Sequence, residues 1–213
     1  MNGLLFISHR TPEYDYIQSI RIALEGGCRE IQLRMKEEPY ETVEQTAAEA
    51  KKICDRYEAR LYINDYPEIC KKVRATGVHL GKKDLPPPEA RSLLGNKAII
   101  GGTANTPEDI ERLYKAGVNY IGLGPYRFTA TKKNLSPVLG LEGYTDILHR
   151  CKNKKIELSI MAIGGITKDD IIPLMETGIT GIALSSAILQ SPDPIKETRE
   201  IIDRINSVSY NKK

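Results

Sequence analysis

The sequence predicts an α/β protein of the single-domain (β/α)8 TIM-barrel class. Three observations carry that reading. Eight short apolar runs recur along 213 residues, amphipathic segments alternate with them, and turn residues punctuate the junctions. Such alternation implies parallel strands with helices packed outside. An open doubly wound sheet is the competing arrangement. It usually needs fewer strands, and no GxGxxG follows the first run here.

The runs are LLFIS from Leu4, EIQLRM from Glu30, RLYIN from Arg60 and GVHLG from Gly77. AIIGG from Ala98, YIGLG from Tyr120, LSIMAIG from Leu158 and GIALS from Gly181 complete the set. Each is too short for a helix. Between them, Ile17, Ile20 and Leu24 share one helical face, with Gly26-Gly27 as a stop. Val43, Ala47, Cys54 and Tyr57 form another face. Thr106-Pro107-Glu108-Asp109 supplies a cap, a first-turn proline and early acids, and Gly117 ends that segment. Thr167-Lys168-Asp169-Asp170 opens a similar helix that Gly178 ends, and Ile195 to Ile205 makes a last one. Pro86-Pro87-Pro88 is expected to be a rigid loop. The barrel is placed at residues 1–206, with residues 207–213 as a C-terminal tail.

Composition excludes several classes. The net charge is +3 with both signs interspersed, so no basic block points to nucleic acid. No apolar run approaches a membrane span, and MNGLLFISHR lacks the pattern of a signal peptide. Cys28, Cys54, Cys70 and Cys151 form no CxxC pair and are expected as buried thiols in a reducing compartment, the cytoplasm.

A parallel barrel builds its site where the strands end. Here those ends carry Arg34-Met35-Lys36, Asn64-Asp65, Asp84, Thr103, the GPYRFTATKK segment, Gly164-Gly165 and Ser185-Ser186. Arg34, Lys36 and Lys132 are cations around one mouth. Asn64, Asp65 and Asp84 offer hard oxygens without His or Cys partners, which suits Mg2+. A structural ion-pair network is the bland alternative. A glycosidase acid–base pair fits poorly, because the surrounding cations favour two ionised carboxylates. Gly164-Gly165 and Ser185-Ser186 follow the last two strands, where barrels often hold a phosphate. The residues thus suggest two anion sites in one mouth: a metal-assisted one for a diphosphate and a metal-free one for a phosphate monoester. His79 lies inside the fourth strand, either reaching the mouth or hydrogen-bonded in the core. His149 is expected on an exposed helix face. No GxSxG, HExxH or P-loop occurs.

The strings IQLRMK, YIND, GVHLGKKDL, GLGPYRFTATKK, AIGGI and GIALSSAI, in this order and spacing, resemble the thiamine phosphate synthase family. The resemblance covers nearly the whole chain. It implies that Gln32, Leu33, Arg34, Met35 and Lys36, with Asn64, Thr103 and Lys132, hold a pyrimidine diphosphate. Asp65 and Asp84 would bind Mg2+. Thr129, Ala130, Thr131, Gly165, Ser185 and Ser186 would hold a thiazole phosphate. The family reaction expels diphosphate from the pyrimidine's methylene carbon, and the thiazole nitrogen attacks a carbocation-like centre. No enzyme nucleophile is implied, and the implied partners are small molecules. A homo-oligomer is compatible with the sequence.

Some positions depart from the family pattern. Met35 stands where an acid is often found, Thr103 where Ser is common, and Ser185 replaces an apolar residue. GTANT, with Asn105, replaces a more usual His-containing loop. None of these removes a charge assigned to diphosphate or metal. Two other readings stay in view. The sister thiazole tautomerases share the barrel, but carry a catalytic His near the place of Pro125 and lack a full TxTK. A non-catalytic phosphate-binding regulator would be expected to have lost charged ligands that are all present here.

Overall fold

A computed structural model describes residues 2–128 and 137–210. Eight parallel strands close into a barrel in chain order. They are β1 Gly3–Ile7, β2 Glu30–Leu33, β3 Arg60–Asn64, β4 Gly77–Leu80, β5 Ile99–Ala104, β6 Tyr120–Leu123, β7 Ser159–Ile163 and β8 Gly181–Leu184. The last strand returns to the first, with Leu5 opposite Ala183. All eight lie within or against the expected runs.

The period-2 alternation of a strand sorts their side chains. Ile31 and Leu33 point outward into the layer shared with the helices, alongside Phe6, Leu61, Ile63 and Ile121. The opposite face fills the barrel with Leu5, Ile7, Tyr62, Tyr120, Met161 and Ala183. The two tyrosines meet edge to face, with ring centroids 5.9 Å apart. Below them, Glu30 receives a hydrogen bond from the Tyr62 hydroxyl at 2.8 Å and pairs with Arg60. This satisfies a buried carboxylate at the floor.

The helices are α1 Tyr16–Glu25, α2 Tyr40–Arg56, α3 Pro67–Val73, α4 Pro87–Leu94, α5 Pro107–Lys115, α6 Gly140–Asn153, α7 Ile171–Glu176, α8 Ser186–Leu189 and α9 Pro194–Tyr210. Thr106 caps α5 as expected, accepting from the Asp109 amide at 3.2 Å, a contact of about 1 kcal/mol. His149 is exposed on α6, and all four cysteines are buried free thiols.

Two expectations need correction. The proline run is a helix start: Pro86 caps α4, and Pro87 and Pro88 form its first turn, where a missing N–H costs nothing. The expected end of the barrel at residue 206 falls inside α9, which runs on to Tyr210. Ile201, Ile205 and Val208 continue one buried face at helical spacing, so the apolar stripe outlasts the expected boundary.

Candidate active site

Alternation along β2 continues past its end and sends Gln32, Arg34 and Lys36 toward the mouth. Leu33 and Met35 point the other way. Both are buried in the strand–helix layer, which leaves only their main-chain groups toward the mouth. The Gln32 side-chain amide donates to Asn64 Oδ1 at 2.7 Å. The Asn64 Nδ2 donor, at the end of β3, is buried and has no partner among the described residues. An orphaned donor at a barrel mouth fits a group completed by ligand. The Arg34 amide donates to the Ser8 hydroxyl at 3.0 Å, which ties β2 to the end of β1. The Arg34 guanidinium is half-buried. Burial lowers its pKa and the Asp65 carboxylate opposes that effect.

Asp65 follows β3 in a left-handed conformation, φ 69°, with its amide donating to the His79 carbonyl at 2.9 Å. This strained backbone turns the side chain over the mouth. Lys36 Nζ lies 2.9 Å from Asp65 Oδ2. Asp84, after β4, stands within hydrogen-bonding reach of Asp65 and accepts from the Gly81 amide at 2.6 Å. Burial first, and then the Asp84 carboxyl, hold Asp65 above the ordinary carboxylate range, while Lys36 pulls it back. Two carboxyls pressed together, with Lys36 paired to Asp65 and Arg34 close by, fit a further hard cation. Among the described residues no group of three or more His, Cys, Asp or Glu is placed to hold a metal. A two-carboxylate set suits Mg2+, which completes its octahedron with phosphates and water.

A cavity opens beside this pair. Ser8, His9, Arg34, His79, Thr103, Asn105, Gly165, Ser185 and Ser186 supply its polar lining. Gly164 and Gly165, at φ 97° and 67°, turn the chain in a way that L side chains rarely follow. A Cβ on Gly165 would lie 2.7 Å from the Phe128 carbonyl oxygen, so the segment after β6 sits directly on this turn. The Ser185 hydroxyl is buried and, among the described residues, without a partner.

Arg127 fastens that segment down. Its guanidinium makes two hydrogen bonds of 2.8 Å to Asp170 and one of 3.0 Å to the Gly165 carbonyl. Asp170 also accepts from the Thr167 amide and hydroxyl. Burial disfavours its charge, but these donors outweigh it and hold the carboxyl at about 2. A depressed carboxyl stabilises the fold above its unfolded value of about 4. That contribution disappears as pH falls through about 2. Wild type is therefore expected to lose more stability than Asp170→Asn between those pH values, read from urea midpoints. Parallel curves would show that the clasp adds nothing.

The profile described as Thiamine monophosphate synthase matches residues 4–188. The chain belongs to the thiamine monophosphate synthase family. A Thiamine-phosphate synthase of Bacteroides thetaiotaomicron is 57% identical over 203 residues, 95% of this chain and 97% of that protein. One from Flavobacterium johnsoniae is 47% identical over 209 residues, 98% and 97% of the two chains. Among solved structures, the thiamine phosphate pyrophosphorylase from Pyrococcus furiosus is 30% identical, with a TM-score of 0.85 over 97% of this chain and 96% of its own.

In this member of the thiamine monophosphate synthase family, the mouth gathers most of the residues expected there. Arg34, Thr103, Gly165, Ser185 and Ser186 line the cavity. Lys36, Asp65 and Asp84 form the charged cluster, and Gln32 with Asn64 joins two strand ends. Thr129, Ala130, Thr131 and Lys132 lie outside the described residues. Sequence reasoning did not select Ser8, His9 or the Arg127–Asp170 pair. Ser8 and His9 do follow the first strand, a position that marked every other strand end. The partners Arg127 and Asp170 are 43 residues apart, and no local pattern joins them.

Proposed function

We propose that the chain is a transferase of thiamine biosynthesis. It joins 4-amino-2-methyl-5-pyrimidinylmethyl diphosphate to 4-methyl-5-(2-phosphoethyl)thiazole, or to its carboxylate form with release of carbon dioxide, giving thiamine phosphate and diphosphate. One observation carries this reading: the Asp65–Asp84 pair and Arg34 share a mouth with the Gly164-Gly165 turn and a Ser185 hydroxyl that has no partner among the described residues. Two anionic substrates need two such subsites within bonding distance of one another.

Asp65 and Asp84 would hold Mg2+, which when bound supplies charge neutralisation for the leaving diphosphate. Arg34 and Lys36 add fixed positive charge on the same side, and Lys132 is assigned to the same group. As the methylene C–O bond breaks, its electron pair leaves with the diphosphate, and preorganised cations stabilise that charge. The thiazole nitrogen then donates its lone pair to the methylene carbon. Gln32, Asn64 and Thr103 orient the pyrimidine. Thr129, Ala130, Thr131, Gly165, Ser185 and Ser186 anchor the thiazole phosphate.

Ser186 is remote from the breaking bond and serves a group whose charge does not change. Ser186→Ala is therefore expected to raise KM for the thiazole phosphate about tenfold or less, with kcat less affected. Steady-state kinetics with each substrate varied in turn checks this. Lost diphosphate release at unchanged thiazole affinity would overturn the assignment.

We assign the enzyme to the cytoplasm, a reading supported by four free buried thiols; no helix of the described residues is long and apolar enough to cross a membrane. Its partners in this reading are the two small-molecule substrates. The test of the function is incubation with both substrates and with each alone. Thiamine phosphate formed only from the pair supports the reading. Rearrangement of the thiazole by itself, without transfer, would favour a tautomerase.

A further inference from the structure

A file of three side chains connects the barrel interior to the mouth. Tyr120 on β6 is fully buried, and its ring lies across Gly101 on β5, where a Cβ would fall 2.1 Å from Cζ. Its hydroxyl lies 3.0 Å from His79 Nδ1 on β4. The other ring nitrogen, Nε2, lies 3.0 Å from the Thr103 hydroxyl on β5. Gly122 leaves room for the imidazole, since a Cβ there would stand 3.0 Å from its Cε1. His79 and Thr103 line the cavity, while Tyr120 lies behind them. Two glycines thus make space for two rings whose polar atoms meet end to end.

The closed end of the file sets its direction. Among the described residues the Tyr120 hydroxyl has one hydrogen-bond partner, His79 Nδ1. A buried O–H with no acceptor is costly, so the phenolic proton must point at Nδ1. Burial also holds this phenol above its ordinary ionisation range, which keeps the proton in place. A neutral imidazole carries one N–H, and with Nδ1 accepting, that N–H is on Nε2. It donates to Thr103 Oγ1. The proton of the Thr103 hydroxyl is then turned away from His79, toward the cavity.

We propose that Tyr120 and His79 are positioning residues that fix Thr103 as a hydrogen-bond donor, so that the subsite at the end of β5 selects an acceptor atom of the pyrimidinylmethyl diphosphate. The reverse file, with Nδ1–H donating to the phenol, would leave Thr103 donating to Nε2 and offering only lone pairs to the ligand. The proposal rests on the reading that this mouth binds the pyrimidine diphosphate. Two measurements test it without turnover.

The first is the tautomer of His79 in wild type, from 15N-labelled histidine by NMR, with the signal assigned by its loss in His79→Gln. The expected result is a protonated Nε2 and a bare Nδ1. A protonated Nδ1 reverses the file and overturns the inference. The second is the Kd for the pyrimidinylmethyl diphosphate, by calorimetry without the thiazole. His79→Leu is expected to weaken it about tenfold, as for one lost hydrogen bond. Tyr120→Phe, which keeps the ring packing, is expected to weaken it less. His79→Gln, which can still present an N–H to Thr103, is expected to restore most of the affinity. Unchanged affinity in both His79→Leu and Tyr120→Phe, or no rescue by Gln, would overturn the positioning role. Absence of thiamine phosphate from the wild-type reaction would instead overturn the functional reading and leave these two results standing on their own.

Discussion

Replacing Asp65 or Asp84 with alanine is expected to lower turnover by on the order of 10²-fold or more, as for removing a preorganised charge-stabilising group. The two carboxyls stand within hydrogen-bonding reach at adjacent strand ends, and Asp65 is held above the ordinary carboxylate range by burial and by Asp84. A divalent cation held by both would relieve their mutual repulsion. Loss of one carboxyl weakens that cation's hold without removing the diphosphate that would share it. Raised Mg2+ should therefore restore part of the activity in either variant. Initial rates over a Mg2+ series check both halves of the prediction. Wild-type-like turnover in either variant without divalent metal would count decisively against the site.

The second large effect is expected at Arg34. Its guanidinium lines the cavity and reaches the charged cluster, and it is half-buried, so its charge is less screened than that of a surface cation. Arg34→Ala is expected to lower kcat on the order of 10²-fold, because the charge matters most as diphosphate departs. Arg34→Lys should recover only part of this, since an ammonium keeps the charge but not the planar fork that matches phosphate oxygens. Kinetics at saturating concentrations of both substrates separate the outcomes. A change confined to KM for the thiazole phosphate would place Arg34 in the other subsite.

Much of this was legible in the sequence because strands write their own geometry. EIQLRM alternates, so the side that carries Gln32, Arg34 and Lys36 follows once the run is recognised. The same alternation buries Leu33 and Met35. Turn residues did the same for the strand ends, where Asp65, Asp84 and Gly164-Gly165 fall. The misread prolines show the limit of such signals: Pro87 and Pro88 break a helix interior but suit a first turn, and only the context after β4 decides. The Arg127–Asp170 clasp and the Tyr120–His79–Thr103 file were not legible. Each is made by closing the barrel, which brings together residues that no local pattern relates. His79 looks the same in sequence whether it packs or positions; the contacts of its ring nitrogens with Tyr120 and Thr103 support the positioning role.

We propose a mouth that uses metal-assisted diphosphate departure to join two substrates. Its most direct test is to quantify both products in one reaction, with Mg2+, after chelation, and after Mg2+ is restored. Thiamine phosphate and diphosphate should appear in equal amounts, stop on chelation and resume on restoration. Diphosphate released without thiamine phosphate, or equal product formation in the chelated reaction, would contradict it.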